Sequence, residues 1–201
     1  MGPLTLLTVP GRDDVDVLLC LGERRRPAGK VLAHAVVAGG HHGLYRGEEL
    51  RTRPLARRAP GLRVRKVPAF DPRTTLKATT TRFDLTAEHD LLDRPALFGL
   101  RAVSAPDRRN HFPGISRWPL GVDQARQDVA VTFSAEGFRA AAVTVMSAQP
   151  LGALMAEAHI LDVAFDRPFG FLARHRPSGL ILLAGWVADP QTRRDVQAAS
   201  S

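Results

Sequence analysis

The chain has 201 residues, 44% hydrophobic and 24% charged, which suits one ordinary globular domain or two small ones and excludes long disorder or coiled coil as a global description. The formal charge of +8 is uneven: residues 1–82 carry 16 Lys+Arg against 7 Asp+Glu, and residues 83–201 carry 12 against 13. Arginine supplies 25 of the 28 basic residues, a bias that reads first as a GC-rich, bacterial genome and only then as a surface for a polyanion. No run approaches 18 uncharged apolar residues, so no transmembrane helix is expected. The start, MGPLTLLTVPGRDD, lacks the basic and apolar regions of a signal peptide, so the chain is expected either to be cytosolic or to lack its natural start. The single cysteine, Cys20, excludes an internal disulfide and a Cys-based zinc site. It lies in the apolar run VDVLLCL and is expected to act as a small buried hydrophobe.

In chain order, Leu4–Val9 and Val15–Leu21 are β-rich runs joined by PGRDD, which predicts a β-hairpin. Residues 22–61 are rich in Gly, Pro and Arg and read as a poorly placed insertion, with only 31–38 (VLAHAVVA) suited to a short helix. Residues 62–67 (LRVRKV) alternate apolar and basic, as an edge strand does. The Thr-rich run 74–86 is strand-like. Residues 87–100 read as a short helix interrupted by Pro95, and 107–121 as loop. Residues 122–133 become alternating and predict a long strand. Three more strands are expected at 160–165, 169–174 and 180–187, with His175–Gly179 as the turn between the last two. The tail 191–201 is polar and is expected to fray.

Few residues point to catalysis. The seven histidines include His41 and His42 in GGHHG, but no HExxH and no cysteine partner accompanies them, so no metal is expected. Glu88, His89 and Asp90 could imitate part of an acid–base pair, yet a helix start explains the carboxylates as well. No GxSxG surrounds a serine, and GGHHG has neither the GK[ST] nor the GxGxxG pattern of a phosphate or dinucleotide loop. The chain is therefore expected to be neither an enzyme nor a cofactor carrier.

The sharpest feature is 134–168. Glu136 and Gly137 are followed by small residues, then by a long stretch without aromatic, Lys or Arg. Compact domains rarely keep such a loop without a use for it, and its Ala, Val and Thr content is unlike a flexible linker. Small and β-branched residues suit a segment that is a loop in one state and a strand in another.

Five motifs here, in order, resemble the C-terminal half of the serpins, the serine-protease inhibitors, and particularly their actinobacterial members. Phe165-Asp166-Arg167-Pro168-Phe169 resembles the family signature F-[DN]-[RK]-P-F. FLARHRPSGLILLAGWVADP (171–190) resembles the terminal strand pair with its G-x-V-x-[DN]-P ending. Glu136, Gly137, Phe138, Arg139, Ala140, Ala141 and Ala142 resemble the hinge E-G-T-E-A-A-A. HFPGISRWPLGVDQARQDVAVTF (111–133) resembles the segment and strand before that hinge, and RFDLTAEHDL (82–91) a further family strand.

The resemblance implies a mixed α+β, β-rich half-fold over residues 1–190, with few helices and an exposed reactive-centre loop. It implies a serine-protease inhibitor without cofactor, acting by loop cleavage and strand insertion, and an extracellular setting. Family spacing counted from Gly137 places the scissile bond at Leu151-Gly152, with Leu154 and Met155 as alternatives. These apolar residues imply a chymotrypsin-like or subtilisin-like partner. Four departures stand out: Phe138 for Thr or Ser, Arg139 for Glu, Ala135 for Glu, and Gly170 for a large apolar residue. A complete serpin is roughly twice this length, so the chain is expected to be a fragment or one part of a longer protein, with the missing half as a further partner. A non-inhibitory serpin-like binding module and a polyanion binder using Arg24–Arg65 remain alternatives. Tyr45 is the only aromatic in that basic stretch, which serves nucleic-acid stacking poorly.

Overall fold

The computed structural model describes residues 3–39, 58–70, 73–104, 111–133 and 156–190. The chain divides into two compact units, one of residues 1–83 and 133–201, the other of residues 84–132.

The first unit opens with the expected hairpin. Strand β1 (Thr5–Pro10) pairs antiparallel with β2 (Val15–Leu21), Thr5 facing Leu21 and Pro10 facing Asp16. Its turn places Asp13 and Asp14 at φ 51° and 57°, and the Val15 amide donates to the Arg12 carbonyl. Two consecutive left-handed residues match the right-handed twist of the strands, and aspartate tolerates that conformation better than most side chains.

Strand β2 is apolar on both faces because both faces are covered. Helix α1 (Ala28–Gly39) packs on one side, where Leu18, Cys20, Val31, Ala35 and Leu172 form a buried cluster. Strand β8 (Phe169–His175) pairs antiparallel with β2, and β9 (Ile181–Val187) pairs antiparallel with β8. The resulting order is β1-β2-β8-β9. Continuous apolar runs such as VDVLLCL and FGFLA are what strands buried on both faces require.

A second sheet is mixed. Strand β3 (Leu62–Ala69) runs antiparallel to β7 (Ala156–Ala164), and β4 (Thr75–Thr79) runs parallel to β7 on its other side. The basic, alternating β3 is an edge strand of this sheet, as its pattern predicts. Diagonal ion pairs cross it: Arg65 Nε lies 2.7 Å from Asp162 Oδ2, and Lys66 Nζ lies 2.5 Å from Glu157 Oε1.

Strands β5 (Phe83–Asp90) and β6 (Arg126–Phe133) pair as a two-stranded sheet, all of it in the second unit except Phe83 and Phe133, which belong to the first. Two expectations need correction. The strand-like run 74–86 is two strands, β4 and β5, separated at residues 80–82. The helix expected over 87–100 is absent: β5 continues to Asp90, then come a 3-10 turn at Leu91–Asp93 and further turns to residue 104. Phe83, Leu85 and Ala87 are the less exposed positions of β5, a period of two that overrides the helical propensity of AEHDLL. The Asp90 carboxylate accepts from the Leu92 amide at 2.9 Å, so the acidic cluster caps a turn rather than a helix.

Candidate functional site

The run 165–169, which resembles a family signature, occupies the join between the two sheets of the first unit. It follows β7 and enters β8, and each of its aromatic residues is buried. The Phe165 and Phe169 rings meet edge to face with centroids 5.3 Å apart. Arg167 reaches back to the end of β2, its Nη2 donating to the Gly22 carbonyl at 3.0 Å, while Nη1 lies 3.5 Å from Asp166. Signature and hairpin are thus locked by a charge-assisted bond to backbone, stronger than a neutral one.

Gly170 follows directly. A Cβ there would meet Cys20 Sγ at 2.6 Å and Leu32 Cδ2 at 2.7 Å. The absent side chain is the space into which α1 settles on β2 and β8. Cys20 faces the same contact and is fully buried. Burial pushes its thiol up to about 12, against a smaller lowering by a backbone hydrogen bond at Gly170, which favours the protonated form.

The aromatic cluster extends beyond the signature. Phe83, first residue of β5, stacks on Phe133 at 5.0 Å with 8° between the planes. It also touches Phe171 at 5.0 Å and Phe169 at 6.0 Å. Sequence reading quoted Phe83 and Phe133 within motifs without foreseeing that they meet. The only signal was an aromatic residue at an end of each strand.

A second arrangement, unforeseen from sequence, surrounds Asp16, whose side chain is 5% exposed. Arg174 Nη2 lies 3.2 Å from Asp16 Oδ2, and Arg176 Nε donates to Asp16 Oδ1 at 2.9 Å. Arg174 Nη1 also donates to the Gly39 carbonyl at the end of α1 at 2.8 Å, and Arg176 Nη1 approaches Asp14 at 3.3 Å. One carboxylate therefore joins the first turn, the helix end and the last hairpin.

The hinge residues Glu136–Ala142 and the candidate scissile residues Leu151, Gly152, Leu154 and Met155 lie outside the described residues, as do His41 and His42. What is placed are the flanks of that segment: β6 ends at Phe133 and β7 begins at Ala156. Among the described residues no group of three or more His, Cys, Asp or Glu is arranged to hold a metal ion. No helix among them is long and apolar enough to cross a membrane.

The family model for Serpin (serine protease inhibitor) matches residues 72–190. The chain belongs to the serpin family, a family of protease inhibitors rather than enzymes. It is 27% identical over 116 residues to heparin cofactor 2 of Homo sapiens, covering 58% of this chain and 22% of that protein. It is 30% identical over 118 residues to plasminogen activator inhibitor 1 of Bos taurus, covering 59% and 28%. The chain thus spans under a third of these relatives. Among solved structures, thyroxine-binding globulin in complex with thyroxine matches with a TM-score of 0.52 at 16% identity, over 94% of this chain and 42% of that one. The thermophilic serpin tengpin in its native state matches with 0.51 at 12% identity, over 94% and 45%. These two likenesses bear on the fold alone.

Proposed function

We propose that the chain is the part of a serine-protease inhibitor that carries the bait, residues 134–155, and that it works within a longer protein in an extracellular setting. The observation that carries this reading is the family match across 72–190, which brackets that segment between β6 and β7. The protease serine attacks the carbonyl of Leu151, or of Leu154 or Met155. An ester forms to the N-terminal piece of the loop, and the C-terminal piece leaves as an amine after taking a proton. The N-terminal piece then enters a sheet as a new strand before water hydrolyses the ester, so the protease stays bound. About 14 residues at roughly 3.3 Å each carry it on the order of 45 Å. The drive is completion of a sheet whose edge groups otherwise lack partners.

Small side chains at Ala140, Ala141 and Ala142 allow fast entry, and Gly137 gives the backbone freedom. Apolar residues at the candidate bond select a chymotrypsin-like or subtilisin-like protease. A trypsin-like enzyme needs a basic residue for its pocket, and there is none between Arg139 and Arg167. The experiment is to mix the full-length protein that carries this chain with subtilisin and look for an adduct stable in SDS. An adduct supports the inhibitor. Clean cleavage without adduct favours a second reading, a non-inhibitory serpin-like module, which Phe138 at the hinge recommends because its bulk needs a volume that Thr would not. In the polyanion reading, Arg65, the last of Arg24–Arg65, already has a carboxylate partner in Asp162.

A further inference from the structure

Strand β6 is weakly held. None of its eight residues is buried, and it belongs to a two-stranded pair, which is marginal on its own. Its last residue, Phe133, is the exception in kind: its ring stacks on buried Phe83, which packs in turn on Phe169 and Phe171. A line of rings thus runs from the residue before the bait segment into the core beside β8. Aromatic pairs of this geometry add about 0.5–1.5 kcal/mol beyond the area they bury.

We propose that Phe133 is a positioning residue for inhibition. By stacking on Phe83 it fixes the point from which the bait leaves β6. This inference rests on reading 134–155 as bait. After cleavage, strand entry races against hydrolysis of the ester. A fixed root lets the cut piece fold back at once along an intact β6, whereas a root that frays must re-form first, and hydrolysis gains. The ring acts on the partition between trapping and release, not on recognition of the scissile bond.

The test titrates subtilisin with the full-length protein that carries this chain, as wild type, Phe133→Ala and Phe133→Trp. Phe133→Ala is expected to need up to about tenfold more inhibitor per protease inactivated, the upper end of what a lost stack supplies. The initial rate of bait cleavage should be unchanged, and Phe133→Trp, which keeps a ring, should restore the partition. An unchanged partition in Phe133→Ala, or a fall in cleavage rate alone, overturns the proposal. Failure of the wild type to inactivate any protease would instead sink the bait reading. In that case hydrogen exchange of the uncut chain still decides whether Phe133 holds the root. Amides of 126–133 should exchange up to about tenfold faster in Phe133→Ala while β8 is unchanged, and equal exchange overturns the anchor.

Discussion

Gly170 shows how one departure from a family pattern follows from its surroundings. With Cys20 Sγ and Leu32 Cδ2 each under 3 Å from a built Cβ, any side chain there must lift α1 or displace Leu32. Gly170→Val is expected to destabilise the fold by about 1–3 kcal/mol, the usual cost of overpacking, read as a fall in denaturation midpoint. His34, on α1, supplies a pH dependence. Burial, then the charge of Arg26, holds its pKa below the ordinary value of 6.5. The unfolded chain therefore takes up a proton at His34 before the folded chain does. Stability from this residue is full above pH 6.5 and declines as pH falls through the window below it. Denaturation midpoints should drop less between pH 7.5 and 5 in His34→Asn than in wild type, and parallel curves would remove His34 as a cause. In the proposed hinge, Ala141→Arg would place a charge at a position expected to enter the sheet. It should turn an inhibitory full-length protein towards substrate, and unchanged complex formation with the target protease would refute that.

The strands around the Asp16 network are joined by a single buried carboxylate, so removing it should be felt beyond one turn. Asp16→Ala leaves Arg174 facing a desolvated site without its partner. A loss of roughly 2–4 kcal/mol is expected, tempered because Arg176 remains 43% exposed. A midpoint within experimental error of wild type would show that the arginines find water instead. Elements of this kind were legible in the sequence where one physical rule ruled alone. The hairpin of β1 and β2 followed from two β-branched runs and a turn rich in Asp and Gly. Edge strand β3 followed from alternating bases, and β8 and β9 from apolar runs about a Pro-Ser-Gly turn. The reading failed at 87–100, where helix formers such as Ala, Glu and Leu compete with a period of two anchored by Phe83. The Asp16 network was invisible because it joins residues about 160 positions apart. The Phe83–Phe133 stack was invisible for a similar reason, since each ring alone looks like an ordinary strand end. The hinge and scissile residues are legible only through family resemblance, because small and apolar residues in a loop follow no periodicity of their own.

At the scale of the whole chain, several large apolar side chains stand in solvent. Ile115 and Trp118 are each 79% exposed and Leu97 72% in the second unit, while Leu180 and Leu182 are 62% and 53% exposed at β9 in the first. Exposed apolar surface of this kind suits covering by further chain, and the matched serpin structures are more than twice as long as the part aligned here. The isolated chain is therefore expected to self-associate or melt without a sharp transition, as sedimentation and calorimetry would record. A monomer with one cooperative transition would contradict this. The central claim, that 134–155 is bait, is met most directly by mass spectrometry of a mild digest with subtilisin or chymotrypsin. The account predicts a first cut after Leu151, Leu154 or Met155, and none by trypsin between residues 140 and 166. A dominant first cut outside 146–157 would contradict it.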